Sequence, residues 1–326
     1  MRLFRIFRSD KSPDRIAAVE RQCQQILDEV KTLNERVAHV ARREGQLRAV
    51  LARDAALESE QARLTGLLSD AGTAPHVTRA VGRGTLHLDP CPYAVVDDLL
   101  PKELYAAVLK GLPPVELFND RPFNKQQLTV PFGLAPTYAQ RVWTYLADVA
   151  VPDFIVPAVI DKFRGALDDW IALNWPEVSP GSVELHSSDG RIILRGRGYR
   201  IPPHRDPKWA FITCILYLAR KHDSETWGTQ LYSVDGDDEA RGAAPHWIDP
   251  ARCRAVADVT FRPNRMLVFL NSVGAHGASI PDDAPETLER YIYQFRIAPT
   301  VEWMTLLKST LPEERRPFWA GKSADY

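Results

Sequence analysis

Between Asp14 and Ala74 the chain has no proline, and its apolar residues return at alternating three- and four-residue steps. Ile16, Val19, Cys23, Ile26, Val30, Leu33, Val37 and Val40 form the series, and Leu47 and Leu51 keep its phase past Glu44. An a/d pattern held this long dictates a helix with one continuous apolar stripe, the sequence condition for a coiled coil. Asp54, Glu58 and Gln61 then fall on core phases, so the seam weakens toward Leu64 and Leu68. A helix over 16–68 would extend about 80 Å at 1.5 Å per residue. The stripe needs a cover, either a second copy of the chain or the chain's own globular part. Length and regularity predict a homo-oligomer through residues 16–68. The β-branched Ile16, Val30 and Val37 at a positions favour a parallel dimer, and the mixed Val, Ile and Leu at d positions leave a trimer open.

Near residue 75 the composition changes, and the remainder is rich in proline and aromatic residues. The expected division is therefore 1–75 as the coiled-coil helix and 76–326 as a globular domain, which 326 residues can accommodate. The formal net charge of −1 gives no support to general nucleic-acid binding. Cys23, Cys91, Cys214 and Cys253 lie far apart with no paired spacing, which argues against a disulfide framework or structural zinc and suits a reducing, cytoplasmic setting. No apolar run reaches the ~18 residues of a membrane span. The basic start, Met1-Arg2-Leu3-Phe4-Arg5-Ile6-Phe7-Arg8, lacks the apolar stretch of a secretory signal. It reads as a solvated terminus, with a weak peripheral foot on an anionic membrane as the other reading.

From Tyr93 the pattern is a short strand, a turn, and a helix starting near Pro101. Further helices are expected over 135–150 and 156–173. Strand-length apolar stretches follow at 183–186, 191–194, 211–218, 229–234, 265–271 and 291–297, punctuated by Gly, Pro and Asp. Helices followed by strands predict an α+β domain whose sheets pack as a sandwich or jelly roll.

Tyr199-Arg-Ile-Pro-Pro-His204-Arg205-Asp206 sets a histidine and a carboxylate two residues apart. On an extended strand both side chains face one side and can reach one ion. The pattern is weak alone, since His87-Leu88-Asp89 also carries it. His276, in Val273-Gly-Ala-His276-Gly after the apolar run Met266–Leu270, offers a third ligand, and Arg290 opens a further strand fourteen residues on. Two histidines and one carboxylate on one face of a metal leave its other positions open, the arrangement of non-haem iron(II) oxygenases. An arginine on a neighbouring strand can clamp the far carboxylate of a 2-oxo acid. Arg290 and Arg296 compete for that role, because their even spacing lets both face one side.

The stretch from Tyr93 to about Pro299 resembles the prolyl-4-hydroxylase-like branch of the iron(II)/2-oxoglutarate dioxygenases. The likeness is carried by Tyr93-Ala-Val-Val-Asp-Asp-Leu-Leu-Pro-Lys-Glu-Leu104, His204-Arg-Asp206, Thr213-Cys-Ile-Leu-Tyr-Leu218, His276 and Arg290. The resemblance implies a double-stranded β-helix core. It implies Fe(II) on His204, Asp206 and His276, and 2-oxoglutarate held by Arg290 and Tyr217. Ascorbate is a further candidate cofactor. The implied reaction is hydroxylation of a substrate with release of succinate and CO2. Asp206 argues against the halogenating variant, which replaces this carboxylate by a small residue. The substrate stays open among a small molecule, a peptidyl side chain and a glycan or lipid intermediate. Two readings from other classes stand beside this one, a catalytically idle scaffold serving the coiled coil and a cupin-type metal protein without 2-oxoglutarate.

The chain departs from that pattern at Gly228-Thr-Gln-Leu231, and Asp235–Asp258 is long and polar, a substrate lid or a surface insertion. Tyr217 has a second reading as a core aromatic. Arg195, Arg197 and Arg200, with Arg205 and Lys208, form either an electrostatic funnel for an anionic substrate or a solvated hairpin. His186, His222 and His246 are expected to face solvent.

Overall fold

The computed structural model describes residues 13–118, 126–129, 132–237, 247–313 and 316. The basic start at 1–8 and His246 lie outside them. Pro13 opens helix α1 (Pro13–Leu57), where its missing N–H costs nothing. The helix ends eleven residues before the expected 68, in a 3-10 turn over Glu58–Glu60. Two shorter helices follow, α2 (Gln61–Leu67) and α3 (Asp70–Arg83). The reason is tertiary. Val50 and Leu57 are buried against the globular part, Gln46 and Arg53 donate to the carbonyls of Glu116 and Lys110, and Asp54 accepts from the Thr137 amide. Leu64, Val77, Ala80 and Val81 then join the main core, and residue 75 falls within α3. The stripe itself is not folded back on the body, for Val19, Ile26, Val30, Leu33, Val37, Val40, Leu47 and Leu51 are all exposed.

Next come β1 (Leu86–His87), β2 (Tyr93–Val96), α4 (Lys102–Lys110) and β3 (Gln127–Thr129). The two helices expected over 135–150 and 156–173 are one. Helix α5 (Thr137–Tyr145) passes through a π-helical stretch (Leu146–Ile155) into α6 (Val156–Asn174). Pro152 lies in the stretch, where its missing N–H breaks the ordinary ladder and the widened turn absorbs the loss. Joined, this helix is long and apolar enough by composition to cross a membrane. Val142, Leu146, Val159, Phe163 and Leu167 are instead buried in the main core, as in the central helix of a globular body.

The remaining elements are β4 (Leu185–Arg195), β5 (Arg200–His204), β6 (Ile212–Tyr217), β7 (Thr229–Val234), β8 (Cys253–Val259), β9 (Met266–Leu270), β10 (Ala275–Ser279), β11 (Arg290–Pro299) and α7 (Val301–Thr310). They build two antiparallel sheets, one ordered β1-β2-β9-β6-β11-β4-β3 and the other β5-β10-β7-β8. Period-2 alternation sorts the larger sheet's side chains. Tyr291, Tyr293, Phe295 and Ile297 of β11, with Ile212, Cys214 and Leu216 of β6, enter the core shared with the helices. Burying each such side chain contributes ~1.5–3 kcal/mol. The alternate residues, Ile193, Ile215, Tyr217 and Ile292, meet Leu231 and Val259 of the smaller sheet. Both faces of the larger sheet are thus covered, and β6, β9 and β11 are buried along their whole length.

Candidate metal centre

His204 ends β5 and His276 lies on β10 directly opposite it in the ladder, with ring centroids 4.1 Å apart. Asp206 follows two residues after His204, just past the strand. All three are buried, and one ligand atom from each lies within 4.8 Å of the others. Two imidazoles and a carboxylate converging at this spacing suit a divalent ion, which they would hold after a small adjustment of the side chains. Among the described residues this is the one such group of histidine, cysteine or carboxylate side chains. His87 instead stacks on Tyr93, with centroids 4.7 Å apart.

The surrounding hydrogen bonds pre-set the ligands. His204 Nδ1 lies 3.0 Å from the Pro202 carbonyl, which can only accept. Nδ1 therefore carries the hydrogen, and Nε2 is left with its lone pair for a metal. Asp206 Oδ2 accepts from Thr213 Oγ1 at 2.6 Å, and Oδ1 accepts from Arg296 Nη2 at 3.2 Å. Thr213 in turn accepts from Asn271 Nδ2 at 3.0 Å, so its own hydrogen is directed to Asp206. Burial alone would raise the Asp206 pKa, but Arg296, the two histidines and Thr213 outweigh it and hold the carboxyl well below its ordinary range. Burial also lowers His204 from its ordinary value, against the attraction of Asp206. Both groups thus favour the deprotonated forms a metal requires.

Arg205 stands between the two ligands in sequence and points away from them. Its Nε donates to the Gly274 carbonyl at 2.6 Å and its Nη2 pairs with Asp237 Oδ2 at 2.7 Å. Asp237 also accepts from the Gly274 amide at 2.8 Å. Gly274 has φ +74°, and a Cβ there would sit 2.9 Å from the Tyr232 carbonyl oxygen. The residue between the first two ligands thereby pins the turn that delivers the third.

The three ligands open onto a cavity of about 310 Å³ lined from both sheets, which therefore face each other across it. Arg290, Ile292, Gln294 and Arg296 all contribute from β11. Parity thus holds for both arginines, and their surroundings separate them. Arg296 is bound to Asp206. Arg290 lies in a buried wall against the adjoining rings of Tyr217 and Phe261, donating Nε to the Trp227 carbonyl and Nη2 to that of Gly228. A guanidinium has five N–H donors, so three are not used by these two bonds. Tyr217 does not line the cavity. It is fully buried behind Arg290, and its hydroxyl donates to the Val259 carbonyl at 3.4 Å. Its place beside Arg290 is structural, as a ring under the guanidinium.

Several contacts at the site were not foreseen. Thr213, backed by Asn271, holds Asp206, and Arg296, read from the sequence as a rival clamp, holds it too. Trp247, bridged to His204 across the strands with ring centroids 5.4 Å apart, overhangs the first ligand. Trp247 and β8 belong to the stretch 235–258 that read as a lid or insertion. Its second half is a strand of the smaller sheet, while 238–246 lies outside the described residues. His186 and His222 are exposed, as expected.

No known protein family and no curated protein matches the chain in sequence. Solved structures do resemble it. A prolyl hydroxylase from Trichoplax adhaerens, in complex with a hypoxia inducible factor oxygen degradation domain peptide, is 12% identical. The match covers 71% of this chain and 91% of that one, with a TM-score of 0.41. HygX from Streptomyces hygroscopicus, with nickel and 2-oxoglutarate bound, is 14% identical over 64% of this chain and 83% of its own, with a TM-score of 0.42. A Pseudomonas putida prolyl-4-hydroxylase is 16% identical over 68% and 96%, with a TM-score of 0.35. At these scores the likeness carries no weight for the chemistry, which rests on the side chains.

Proposed function

We propose that the chain is an iron(II)- and 2-oxoglutarate-dependent oxygenase of jelly-roll architecture that hydroxylates its substrate with release of succinate and CO2. The carrying observation is the buried group His204, Asp206 and His276 on one wall of a cavity whose other wall holds the buried Arg290. His204, Asp206 and His276 would hold the iron by three ligand atoms, leaving its remaining positions toward the cavity. When bound, the iron supplies the oxygen chemistry by which the 2-oxo acid is decarboxylated and the substrate oxidised. The chain's own part is to keep the ligands deprotonated, to receive the far carboxylate of 2-oxoglutarate on Arg290, and to exclude water from the reacting centre. Tyr217 supports that contact by positioning Arg290. Segment 1–75 is assigned to assembly in a cytoplasmic setting and 76–326 to chemistry, with the C-terminal part of the first segment docked on the second.

The test is an anaerobic titration of the protein with iron(II) and 2-oxoglutarate, followed by visible absorbance. A weak charge-transfer band that needs both components and is lost in His276→Ala is the expected result. Arg290→Ala should keep iron binding and weaken 2-oxoglutarate at least tenfold. Iron binding with no band would favour the metal protein without 2-oxoglutarate, and an unchanged band in His276→Ala would remove the site assignment.

A further inference from the structure

The register of the larger sheet puts more positive charge into this cavity than iron and 2-oxoglutarate account for. Arg195 on β4 lies directly opposite Arg290 on β11, Ile193 opposite Ile292, and Arg191 opposite Gln294. The β4 residues 191, 193 and 195 therefore face the cavity beside 290, 292 and 294, and all six line it. Like charges set directly opposite on neighbouring strands repel. Among the described residues the one carboxylate lining the cavity, Asp206, is already engaged by Arg296.

The other cations of the stretch that read as a funnel have partners of their own. Arg197 pairs with Glu286 at 2.8 Å, and Arg200, which also lines the cavity, pairs with Asp282 at 2.6 Å. Arg205 pairs with Asp237, and Lys208 donates to the carbonyls of Asn271 and Ser272. Arg195 differs from them. Its Nη1 donates to the carbonyls of Gln126 and Leu194 at 2.9 and 3.0 Å, and its guanidinium lies over the Tyr199 ring at 4.7 Å. Those partners are neutral, and among the described residues no carboxylate pairs with it. Position also separates the arginines. Arg290 is buried in the wall, whereas Arg191 and Arg195 are half-buried on the strand next to the edge strand β3. 2-Oxoglutarate brings two carboxylates, one for the metal and one for Arg290. Arg191 donates to Gln294 Oε1 at 3.1 and 3.2 Å, so of the two β4 arginines it is Arg195 that has no anion supplied to it.

We infer that the substrate carries its own anionic group, a carboxylate or a phosphate, and that Arg195 receives it at the cavity rim. The inference deepens the oxygenase reading and rests on it for the word substrate, while the anion site itself stands on the register and partners of β4. Planar guanidinium forks suit both oxyanions, and a rim contact would orient the remainder of the substrate toward the ligands under Trp247.

The probes are methyl phosphate and acetate, titrated calorimetrically and without oxygen into full-length protein, both metal-free and loaded with iron(II) and saturating 2-oxoglutarate. At least one probe should bind while 2-oxoglutarate stays in place, and the tighter of the two identifies the chemistry. Arg195→Gln should weaken that probe at least tenfold. Arg195→Lys should recover part of the loss, Arg197→Gln outside the cavity should change nothing, and 2-oxoglutarate affinity should move less than twofold throughout. The inference is overturned if neither probe separates wild type from Arg195→Gln, if the probes displace 2-oxoglutarate, or if Arg195→Gln weakens 2-oxoglutarate instead. Should the wild type give no charge-transfer band, the oxygenase reading has failed. The metal-free titration still decides whether the anion site exists.

Discussion

Thr213 illustrates how much of a metal site lies one residue behind its ligands. Its hydroxyl receives a hydrogen bond from Asn271 and passes its own hydrogen to Asp206, so one side chain fixes both the orientation and the ionisation of the carboxylate. Thr213→Val keeps the shape and removes both bonds, leaving buried oxygen and amide groups without these partners. We expect metal affinity to fall by about 10- to 100-fold and stability to fall by about 1–3 kcal/mol, read by metal titration and denaturant unfolding. Unchanged metal affinity would show that Arg296 alone suffices to set Asp206. The ligand pKa directions give a second expectation. In the metal-free protein burial depresses His204, so its contribution to stability is complete above pH ~6.5 and is lost as pH falls through the lowered folded value. Asp206 is depressed too, and its contribution is lost only in stronger acid. Proton competition at His204 therefore begins below its ordinary value. Metal affinity should be level between pH 8 and 7 and decline below about 6.5. A tenfold fall between pH 8 and 7 would contradict the assigned ionisation.

At the scale of elements, β10 is the piece on which the site turns, and the backbone of Gly274 is what aims it. A Cβ at Gly274 would press on the Tyr232 carbonyl and would also require a positive φ that L side chains resist. Gly274→Ala should destabilise by more than about 1 kcal/mol. It should also weaken metal binding more than an equally destabilising change in the helical core, and equal losses of metal affinity would deny the turn any special part in placing His276. The sequence carried such local facts well. The i, i+2 spacing of His204 and Asp206, and the run Met266–Leu270 ahead of His276, are readable because strand periodicity is local. Arg290 and Arg296 both line the cavity, as their even spacing allowed, and distance from His276 favoured Arg290 as the clamp; parity could not divide their roles, since that depends on which loop lies behind Arg290 and which carboxylate meets Arg296. Trp247 was invisible because it reaches His204 only through pairing across the smaller sheet. Strand β4 looked like two strands parted by Asp189-Gly190. In the fold it runs through that pair, and a register shift against β11 takes up the extra residue. The end of α1 at Leu57 carried no proline or glycine signal, because docking on the body sets it.

For the whole molecule, α1 poses the remaining physical problem. About 65 Å of helix at 1.5 Å per residue presents Val19, Ile26, Val30, Leu33, Val37 and Val40 to solvent, while its last turns are anchored by Val50 and Leu57. A continuous apolar stripe of that length on a charged helix is stable in water when a second stripe covers it. The heptad phase matches a second copy of the same helix. The anchor also means that pairing two stripes would hold two domains at fixed ends of one shared rod. Val30→Glu with Val37→Glu puts like charges at two core positions of such a pair and touches nothing in the domain. Light scattering should give a multiple of the chain mass for the wild type and the single-chain mass for the double variant, with metal binding unchanged within twofold. An unchanged mass would return α1 to the status of a lone arm. A loss of metal binding on dissociation would carry a different meaning, that the two domains complete one another's cavities and that assembly belongs to the chemistry.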